Sequence, residues 1–186
     1  MYTLRPLNAL DLPMILAWRN RPEVRQLMYT QHVILPAEHA AWFARLEHDA
    51  TKRYFVCSRE GEPIGVVGFY GMNGGNGTAE WGFYTCDPSR RGLGTPMAHL
   101  ALQEAFGALG VRKVSAEVLD LNPRGLAFHR RIGFVDEGVR RQHVAIAGRY
   151  HDVHMLALFA DDWRNGLAEQ LRQRLDKRLG KGSDEA

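Results

Sequence analysis

DPSRRGLGTPM, residues Asp87–Met97, is the stretch that decides the fold, because it is a glycine loop carrying two arginines. The aromatic residues 78–85 before it favour a strand, and the residues after it favour a helix. A loop at a helix start presents free backbone N–H groups and the positive end of the helix dipole. Phosphates bind at such positions. The stretch therefore predicts a phosphate-bearing ligand at a strand–loop–helix junction.

The residue types in this loop suit close contact with phosphate oxygens. Glycines let the backbone approach a ligand, and arginines add charge-assisted hydrogen bonds. We expect cofactor contacts along the whole run of Arg90, Arg91, Gly92, Leu93, Gly94 and Thr95. The spacing is neither that of a dinucleotide fold nor that of a P-loop, since Met97 replaces a third glycine and no Gly-Lys-Ser/Thr follows. On the loop alone, a glycine turn with two solvated arginines is the equal alternative.

Composition is that of one globular domain. Of 186 residues, 45% are hydrophobic and 24% are charged, which is ordinary for such a domain. The only cysteines, Cys57 and Cys86, indicate a reducing compartment, so we expect a cytoplasmic protein. We find neither an apolar run of about 20 residues nor a signal-peptide pattern, so no membrane partner is expected. A net charge of +3 suits an anionic cofactor but is too small to indicate nucleic acid.

The hydrophobic pattern predicts the element order β-α-α-α-β-β-β-α-β-α-β-β. Strands are expected at residues 2–7, 53–59, 64–70, 78–85, 111–119, 134–144 and 149–159. Helices are expected from residue 11, from 22, from 36, over 92–109 and 123–131, and from 161. A helix between the fourth and fifth strands favours a parallel pair at the glycine loop within a mixed sheet. Residues 1–160 then form one domain, followed by an amphipathic helix and polar tail over 161–186.

A second motif, NPRGLAFHRRIGF at residues Asn122–Phe134, makes the pattern more specific. An Arg-Gly-x-Gly loop after an aromatic strand, then Asn122, a short helix and Gly-Phe, resembles the Gcn5-related N-acetyltransferase (GNAT) superfamily. The resemblance implies an α/β (α+β) fold: a mixed, mostly antiparallel seven-stranded sheet with splayed central strands and flanking helices. It also implies acetyl-CoA, with its pyrophosphate on the glycine loop and its pantetheine arm between the splayed strands. The further cofactor contacts expected are Phe83, Tyr84, Thr85, Asn122 and Phe128, with helix capping as the alternative role of Asn122.

Acetyl transfer to an amine needs a base, a donor to the oxyanion and an acid for the departing thiolate. Glu80, on the strand before the loop, is the candidate base, directly or through a water. His129 is the candidate acid, because it stands where many members of the superfamily place a tyrosine. Tyr84 is the alternative acid, and a backbone N–H near Phe83 or Tyr84 is expected to meet the oxyanion. An exposed strand carboxylate and a satisfied helix histidine are the structural alternatives.

The N-terminal third indicates the acceptor. Its Trp18-Arg19-Asn20 and His39-x-x-Trp42-Phe43 signals resemble the subgroup that contains the ribosomal-protein N-terminal acetyltransferases. The nearer likeness is to the PseH-type amino-sugar acetyltransferases of pseudaminic acid synthesis, which serves flagellin glycosylation. That likeness implies transfer to the 4-amine of UDP-4-amino-4,6-dideoxy-N-acetyl-altrosamine. The candidate acceptor-binding residues are Arg19, Asn20, Arg25, Met28, His39, Tyr150 and His154.

Three other interpretations stay open at this point. In the first the acceptor amine is a protein N-terminus, and in the second it is a polyamine. In the third the chain is a CoA-binding regulatory module whose basic helix over 164–181 contacts a partner. Few carboxylates in the N-terminal third disfavour the polyamine, and alternating charges make a solvated helix face the simpler account. No metal site is expected, because His151 and His154 point to opposite faces of a strand. The resemblance also allows a homodimer.

Overall fold

The computed structural model describes residues 1–180, with side chains up to residue 177. Its strands are β1 (Tyr2–Pro6), β2 (Arg53–Arg59), β3 (Glu62–Asn73), β4 (Thr78–Thr85), β5 (Lys113–Leu119), β6 (Val135–Ile146) and β7 (Arg149–Phe159). They form one seven-stranded sheet in the order β1-β2-β3-β4-β5-β7-β6. Neighbours β4 and β5 are parallel, and the other pairs are antiparallel. The predicted mixed sheet with a parallel pair at the glycine loop is confirmed.

The helices lie between and around these strands. They are α1 (Leu12–Arg19), α2 (Pro22–Arg25), α3 (Pro36–Glu47), α4 (Gly94–Phe106), α5 (Pro123–Arg131), α6 (Ala160–Asp162) and α7 (Ala168–Gly180). Four of them, α1, α2, α3 and α5, carry a proline at the first or second position. Proline suits that position because its fixed φ is helical and the first N–H groups have no partner within the helix. The predicted helix starts near Pro22 and Pro36 therefore hold.

The α4 helix is shorter at both ends than the predicted 92–109. It begins at Gly94 and ends at Phe106, where the N–H of Gly107 still donates to the carbonyl of Gln103. A Cβ added to Gly107 would lie 2.6 Å from that carbonyl oxygen, so glycine is required for this close ending. Gly110, the expected end, instead occupies the following turn with φ +63°.

The central strands separate part-way along their length. Pairing between β4 and β5 runs from Thr78↔Lys113 to Trp81↔Ala116 and then stops. The β4 strand continues to Thr85 and β5 to Leu119, so four residues of one and three of the other are unpaired on the facing edges. The expected splay of the central strands is confirmed, and it opens at the end of the sheet that carries the glycine loop.

The C-terminal segment is interrupted rather than continuous. A π-helical turn at Trp163–Leu167 separates α6 from α7, with Gly166 at φ +125°. Trp163 packs against His99 and Phe106 of α4, and Leu171 of α7 is fully buried in the main core. The helix predicted from residue 161 is thus broken by the glycine, and it packs on α4. The predicted polar tail beyond residue 180 lies outside the described residues.

Candidate active site

A cavity of about 1130 Å³ opens where β4 and β5 separate. Its sides are residues 82–85 of β4 and 117–119 of β5, together with parts of α1, α3 and α5. Residues 26–30, which follow α2, cover another side, and residues 88–90 of the glycine loop form one end. The cavity therefore joins the predicted cofactor loop to the N-terminal third, where acceptor contacts were predicted.

The glycine loop leaves the backbone N–H groups at the start of α4 without a side-chain cap. Gly94 starts α4, and no side chain caps that N-terminus. Gly92 has φ +93°, a conformation that other residues adopt only with strain. Leu93 is 4% exposed and packs in the core, so this residue fixes the loop while its side chain points away from any ligand. The uncapped N–H groups and the helix dipole remain available to an anion.

The predicted cofactor residues fall into two groups. Those that line the cavity are Phe83, Tyr84, Thr85, Arg90, Asn122 and Phe128. Those that lie outside its lining are Arg91, Gly92, Leu93, Gly94 and Thr95. Asn122 also caps α5, because its Oδ1 accepts a 2.8 Å hydrogen bond from the N–H of Gly125. The capping role of Asn122 is thus observed, and its contact with the cofactor stays a prediction.

His129 lines the cavity in a state that does not suit an acid. Its Nδ1 lies 2.7 Å from the carbonyl oxygen of Gly125, so Nδ1 must carry a proton and donate it. Burial lowers the pKa of His129 despite that bond, so at neutral pH the ring is uncharged and Nε2 has no proton to give. Trp81 and Phe134 pack edge-on against the ring. The expectation that His129 protonates the thiolate conflicts with this geometry, which fits a satisfied helix histidine.

Three of the tyrosines that line the cavity have phenols that stay protonated at neutral pH. Tyr84 lines it, and burial raises the pKa of its phenol, so the hydroxyl keeps its proton at neutral pH. Tyr54 and Tyr70 also line the cavity, and burial raises the pKa of each. Tyr70 donates to the carbonyl of Trp81 at 3.3 Å. Of the two acids that the sequence suggested, Tyr84 therefore has the proton available at neutral pH, and its role as the acid stays a prediction.

The carboxylate that lines the cavity at the splay is not the one that was predicted. Glu80 is exposed and lies outside the cavity lining, although burial and repulsion by Glu117 raise its pKa. Glu117, which the sequence analysis did not select, does line the cavity. It accepts a 2.6 Å hydrogen bond from the Tyr29 hydroxyl and a second bond from Arg140. Glu80 as the base stays a prediction, with Glu117 as its neighbour inside the cavity.

The candidate acceptor residues are also divided. Arg19, Met28 and His39 line the cavity, whereas Asn20, Arg25, Tyr150 and His154 do not. Arg19 donates to the carbonyl of Thr30 at 2.9 Å, and its buried Nη1 finds no partner among the described residues. His39 is 7% exposed and stacks on Trp42 with ring centroids 5.1 Å apart.

Asn20 and Arg25 are instead committed to the chain segment between α2 and α3. The side chain of Asn20 makes two 2.8 Å hydrogen bonds to the backbone of Ile34, one donated and one accepted. Arg25 donates to the carbonyl of Gln31 at 2.8 Å. Tyr150 is 71% exposed on the outer part of the β6–β7 hairpin. Asn20 and Arg25 thus stabilise the segment that borders the cavity, and Tyr150 lies away from the cavity.

Residues 2–135 match the acetyltransferase (GNAT) domain family. The chain belongs to this family. Like other GNAT acetyltransferases, it uses acetyl-CoA as acetyl donor, and its uncapped α4 N-terminus and splayed strands fit that molecule. Within residues 1–180, no group of three or more His, Cys, Asp or Glu side chains is placed to hold a metal ion. None of the described helices combines the length and apolar character needed to cross a membrane.

Known relatives of this GNAT chain include PseH acetyltransferases and spermidine acetyltransferases. The acetyltransferase PseH of Campylobacter jejuni strain 81-176 is 28% identical, over 75% of this chain and 88% of that protein. PseH of strain NCTC 11168 is 30% identical, over 69% and 79%. Spermidine N(1)-acetyltransferase of Escherichia coli K12 is 26% identical, over 84% of each chain. The crystal structure of Vibrio cholerae spermidine N-acetyltransferase with CoA and spermine has a TM-score of 0.80 and 25% identity, over 86% and 96%.

Two residues that line the GNAT cavity, Glu117 and Tyr29, were not predicted from the sequence. Glu117 carried a signal, because it is a carboxylate on a strand where Val114, Ala116 and Val118 alternate as apolar residues. Nothing in the sequence around Tyr29 indicated a role in the site, since it lies in an irregular segment 88 residues away from its partner Glu117. Only the folded arrangement of the sheet brings these two side chains together.

Proposed function

We propose that the acceptor is the 4-amino group of a UDP-linked amino sugar, as in pseudaminic acid synthesis and flagellin glycosylation. The observation that carries the proposal is the charge of the cavity. Among the described residues, its lining contains four arginines and three glutamates. The arginines are Arg19, Arg45, Arg90 and Arg124. An acceptor that brings a diphosphate suits such a lining, because guanidinium groups bind phosphate oxygens in pairs of hydrogen bonds.

The glutamates are poorly suited to a polyamine, because two of the three are already engaged. Glu38 lies 3.0 Å from Nε2 of His32, and this contact lowers the pKa of Glu38. Glu117 is held by Tyr29 and Arg140. A polycation needs several free carboxylates along one groove, and Glu23 alone meets that condition among the described lining residues. A single ammonium group needs only one carboxylate, which Glu117 can supply while it still accepts from Tyr29 and Arg140. The two PseH relatives support the same substrate class.

Residues at different positions along the cavity then have different functions in binding and catalysis. Acetyl-CoA supplies the activated acetyl thioester. Arg90 and the α4 N-terminus bind phosphate at one end, and the aromatic wall at Phe83 and Phe128 excludes water from the middle. The Tyr84 hydroxyl keeps its proton at neutral pH and donates it toward the departing sulfur. A cytoplasmic location follows from these substrates, and a homodimer is compatible with them.

The experiment is an acceptor screen with acetyl-CoA that reads released thiol. Three acceptors are compared: UDP-4-amino-4,6-dideoxy-N-acetyl-altrosamine, spermidine and a peptide with a free N-terminus. We expect the amino sugar to have a kcat/KM about 100-fold or more above the others, a difference of about 2.7 kcal/mol in transition-state binding. UDP-N-acetylglucosamine, which has no 4-amine, is the matched control and should inhibit competitively without releasing thiol.

Spermidine is the second candidate acceptor because a structure with a TM-score of 0.80 is a spermidine N-acetyltransferase. Turnover of spermidine with an inert amino sugar would overturn the proposal in favour of that candidate. Turnover of the peptide alone would favour a protein N-terminus. If the chain binds acetyl-CoA but releases no thiol with any acceptor, the regulatory alternative gains support.

A further inference from the structure

Glu117 lies at the point where the central strands part. It follows Ala116, the last residue of β5 that pairs with β4. Side chains alternate along a strand, and Glu80 pairs with Ser115, so Glu117 lies on the same sheet face as Glu80. Its side chain is 21% exposed and lines the cavity. Among the described lining residues, it is the one carboxylate on the separated strands, since Glu23 and Glu38 belong to α2 and α3.

Two side chains hold this carboxylate, one at each of its oxygens. The Tyr29 hydroxyl donates to Oε2 at 2.6 Å, and Arg140 Nη1 donates to Oε1. Tyr29 comes from the segment after α2, and Arg140 comes from β6, so three separate elements meet at Glu117. Exposed ion pairs contribute about 0–1 kcal/mol each, so the pair between Glu117 and Arg140 stabilises the fold little. The arrangement instead orients one carboxylate within the cavity.

The groups around Glu117 form a single electrostatic cluster. Burial raises the pKa of Tyr29, and its hydrogen bond to Glu117 raises it further. Burial also raises the pKa of Tyr70, with smaller contributions from Glu80, Tyr54 and Glu117. The pKa of Glu80 is raised by burial and by repulsion from Glu117, and it is lowered by Arg140. Two neutral phenols, two carboxylates and the Arg140 guanidinium thus form this cluster, and Glu117 is its carboxylate that lines the cavity.

We propose that Glu117 binds the ammonium group of the acceptor and takes one proton from it, while Tyr29 positions the Glu117 carboxylate. The inference rests on amine acetylation, and it holds for a sugar or another small amine. The ammonium gives one proton to Glu117, and the neutral amine forms the C–N bond while the C–S bond breaks. The nitrogen's second proton leaves with the sulfur through Tyr84, and Glu117 releases its proton to water, so one proton is produced per turnover.

The test compares carboxylate variants at the splay by steady-state kinetics from pH 6 to pH 9. Glu117→Gln should lower kcat/KM by about 100-fold at pH 7, as expected for the loss of a general base. The deficit should shrink toward pH 9, because solvent then deprotonates the amine. Glu117→Asp keeps a carboxylate and should retain intermediate activity. Glu137→Gln, which breaks the surface pair with Lys113, is the matched control and should behave as the wild type.

Tyr29→Phe separates positioning from proton transfer. It removes the 2.6 Å hydrogen bond to Glu117 and should raise the acceptor KM about fivefold to tenfold, with a smaller change in kcat. Calorimetric titration of each variant with acetyl-CoA supplies a readout that is independent of turnover. Affinity for acetyl-CoA should stay within about twofold of the wild type, and thermal unfolding should show an intact fold.

The kinetics use the acceptor with the highest turnover in the screen, so loss of the amino-sugar proposal leaves this test intact. A Glu117→Gln variant with wild-type kcat/KM at pH 7 would overturn the inference. A deficit that is the same at every pH would also overturn it, because a structural role predicts that result. If Glu80→Gln shows the pH-dependent loss and Glu117→Gln does not, the base is Glu80.

Discussion

Gly94 and Phe128 are in such close contact that a methyl group on Gly94 would lie 3.2 Å from Cε2 of the ring. The start of α4 therefore packs on α5 through bare backbone. Phe128 in turn lines the cavity and lies edge-on to Phe83, with ring centroids 5.3 Å apart. A glycine that does not itself line the cavity thus gives Phe128 the space to pack against Phe83.

Substitution of Gly94 by valine should weaken binding of acetyl-CoA. The new side chain displaces Phe128 and crowds the N–H groups at the α4 N-terminus. Overpacking of this kind costs about 1–3 kcal/mol, so we expect the Kd for acetyl-CoA to rise about tenfold or more in calorimetric titration. Gly74→Val is the control, because a Cβ there meets nothing within 4 Å. Unchanged affinity in the Gly94 variant would refute the assignment of this loop to the cofactor.

The two neighbouring arginines of the loop should have unequal effects. Arg90 lines the cavity, whereas Arg91 is exposed outside its lining. A charge-assisted hydrogen bond to phosphate contributes about 1.5–3 kcal/mol, so Arg90→Ala should raise the acetyl-CoA Kd by about tenfold or more. Arg91→Ala should change it less than threefold and serves as the matched control. Equal losses in both variants would place the pyrophosphate on the outer surface of the loop.

Tyr84 and His129 give opposite expectations for the acid. Tyr84→Phe should lower kcat by about 100-fold, because it removes a proton donor that is protonated at neutral pH. His129→Phe should retain most of the activity, since its neutral Nε2 has no proton to donate. Rate measurements at saturating substrates compare the two, and calorimetry checks that both still bind acetyl-CoA. A large kcat loss confined to His129→Phe would restore the histidine as acid.

Local patterns predicted the individual strands, and the family resemblance implied how they form one sheet. The helix predicted between the fourth and fifth strands indicated the parallel pair, because a strand–helix–strand connection returns the chain in the same direction. The end of α4 was less predictable, because Gly107 and Gly110 are both plausible helix ends. The choice depends on the N–H of Val111 donating to the carbonyl of Ala105, which is a contact within the folded turn.

The candidate site was predicted where its residues are close in sequence. Phe83, Tyr84 and Thr85, which were predicted to contact the cofactor, all line the cavity because they form the end of β4 directly before the loop. Tyr150 and His154 share a strand face with the right chemistry, but the β6–β7 hairpin holds them outside the lining. Strand periodicity predicts a face and carries no information about which part of a long hairpin reaches the cavity.

The ion pair between Arg5 and Asp11 should make stability depend on pH. Two hydrogen bonds of 2.8 and 2.7 Å join the guanidinium to the carboxylate, and Asp11 is 5% exposed. The Arg5 hydrogen bond lowers the pKa of Asp11, so its contribution to the free energy of unfolding is present above the unfolded pKa of about 3.9. That contribution is lost as the pH falls through the lower pKa of the folded state.

Asp11→Asn should therefore reduce the free energy of unfolding by about 1–2 kcal/mol at pH 7. The difference from the wild type should shrink as the pH falls from 4 toward 2, because the wild-type carboxyl then becomes neutral as well. Urea unfolding at pH 7, 4 and 3 measures both quantities. Asp161→Asn is the control: its side chain is 88% exposed with Arg164 at 3.5 Å, so we expect less than about 0.5 kcal/mol. A difference for Asp11→Asn that stays constant with pH would mean that packing, and not charge, accounts for its contribution.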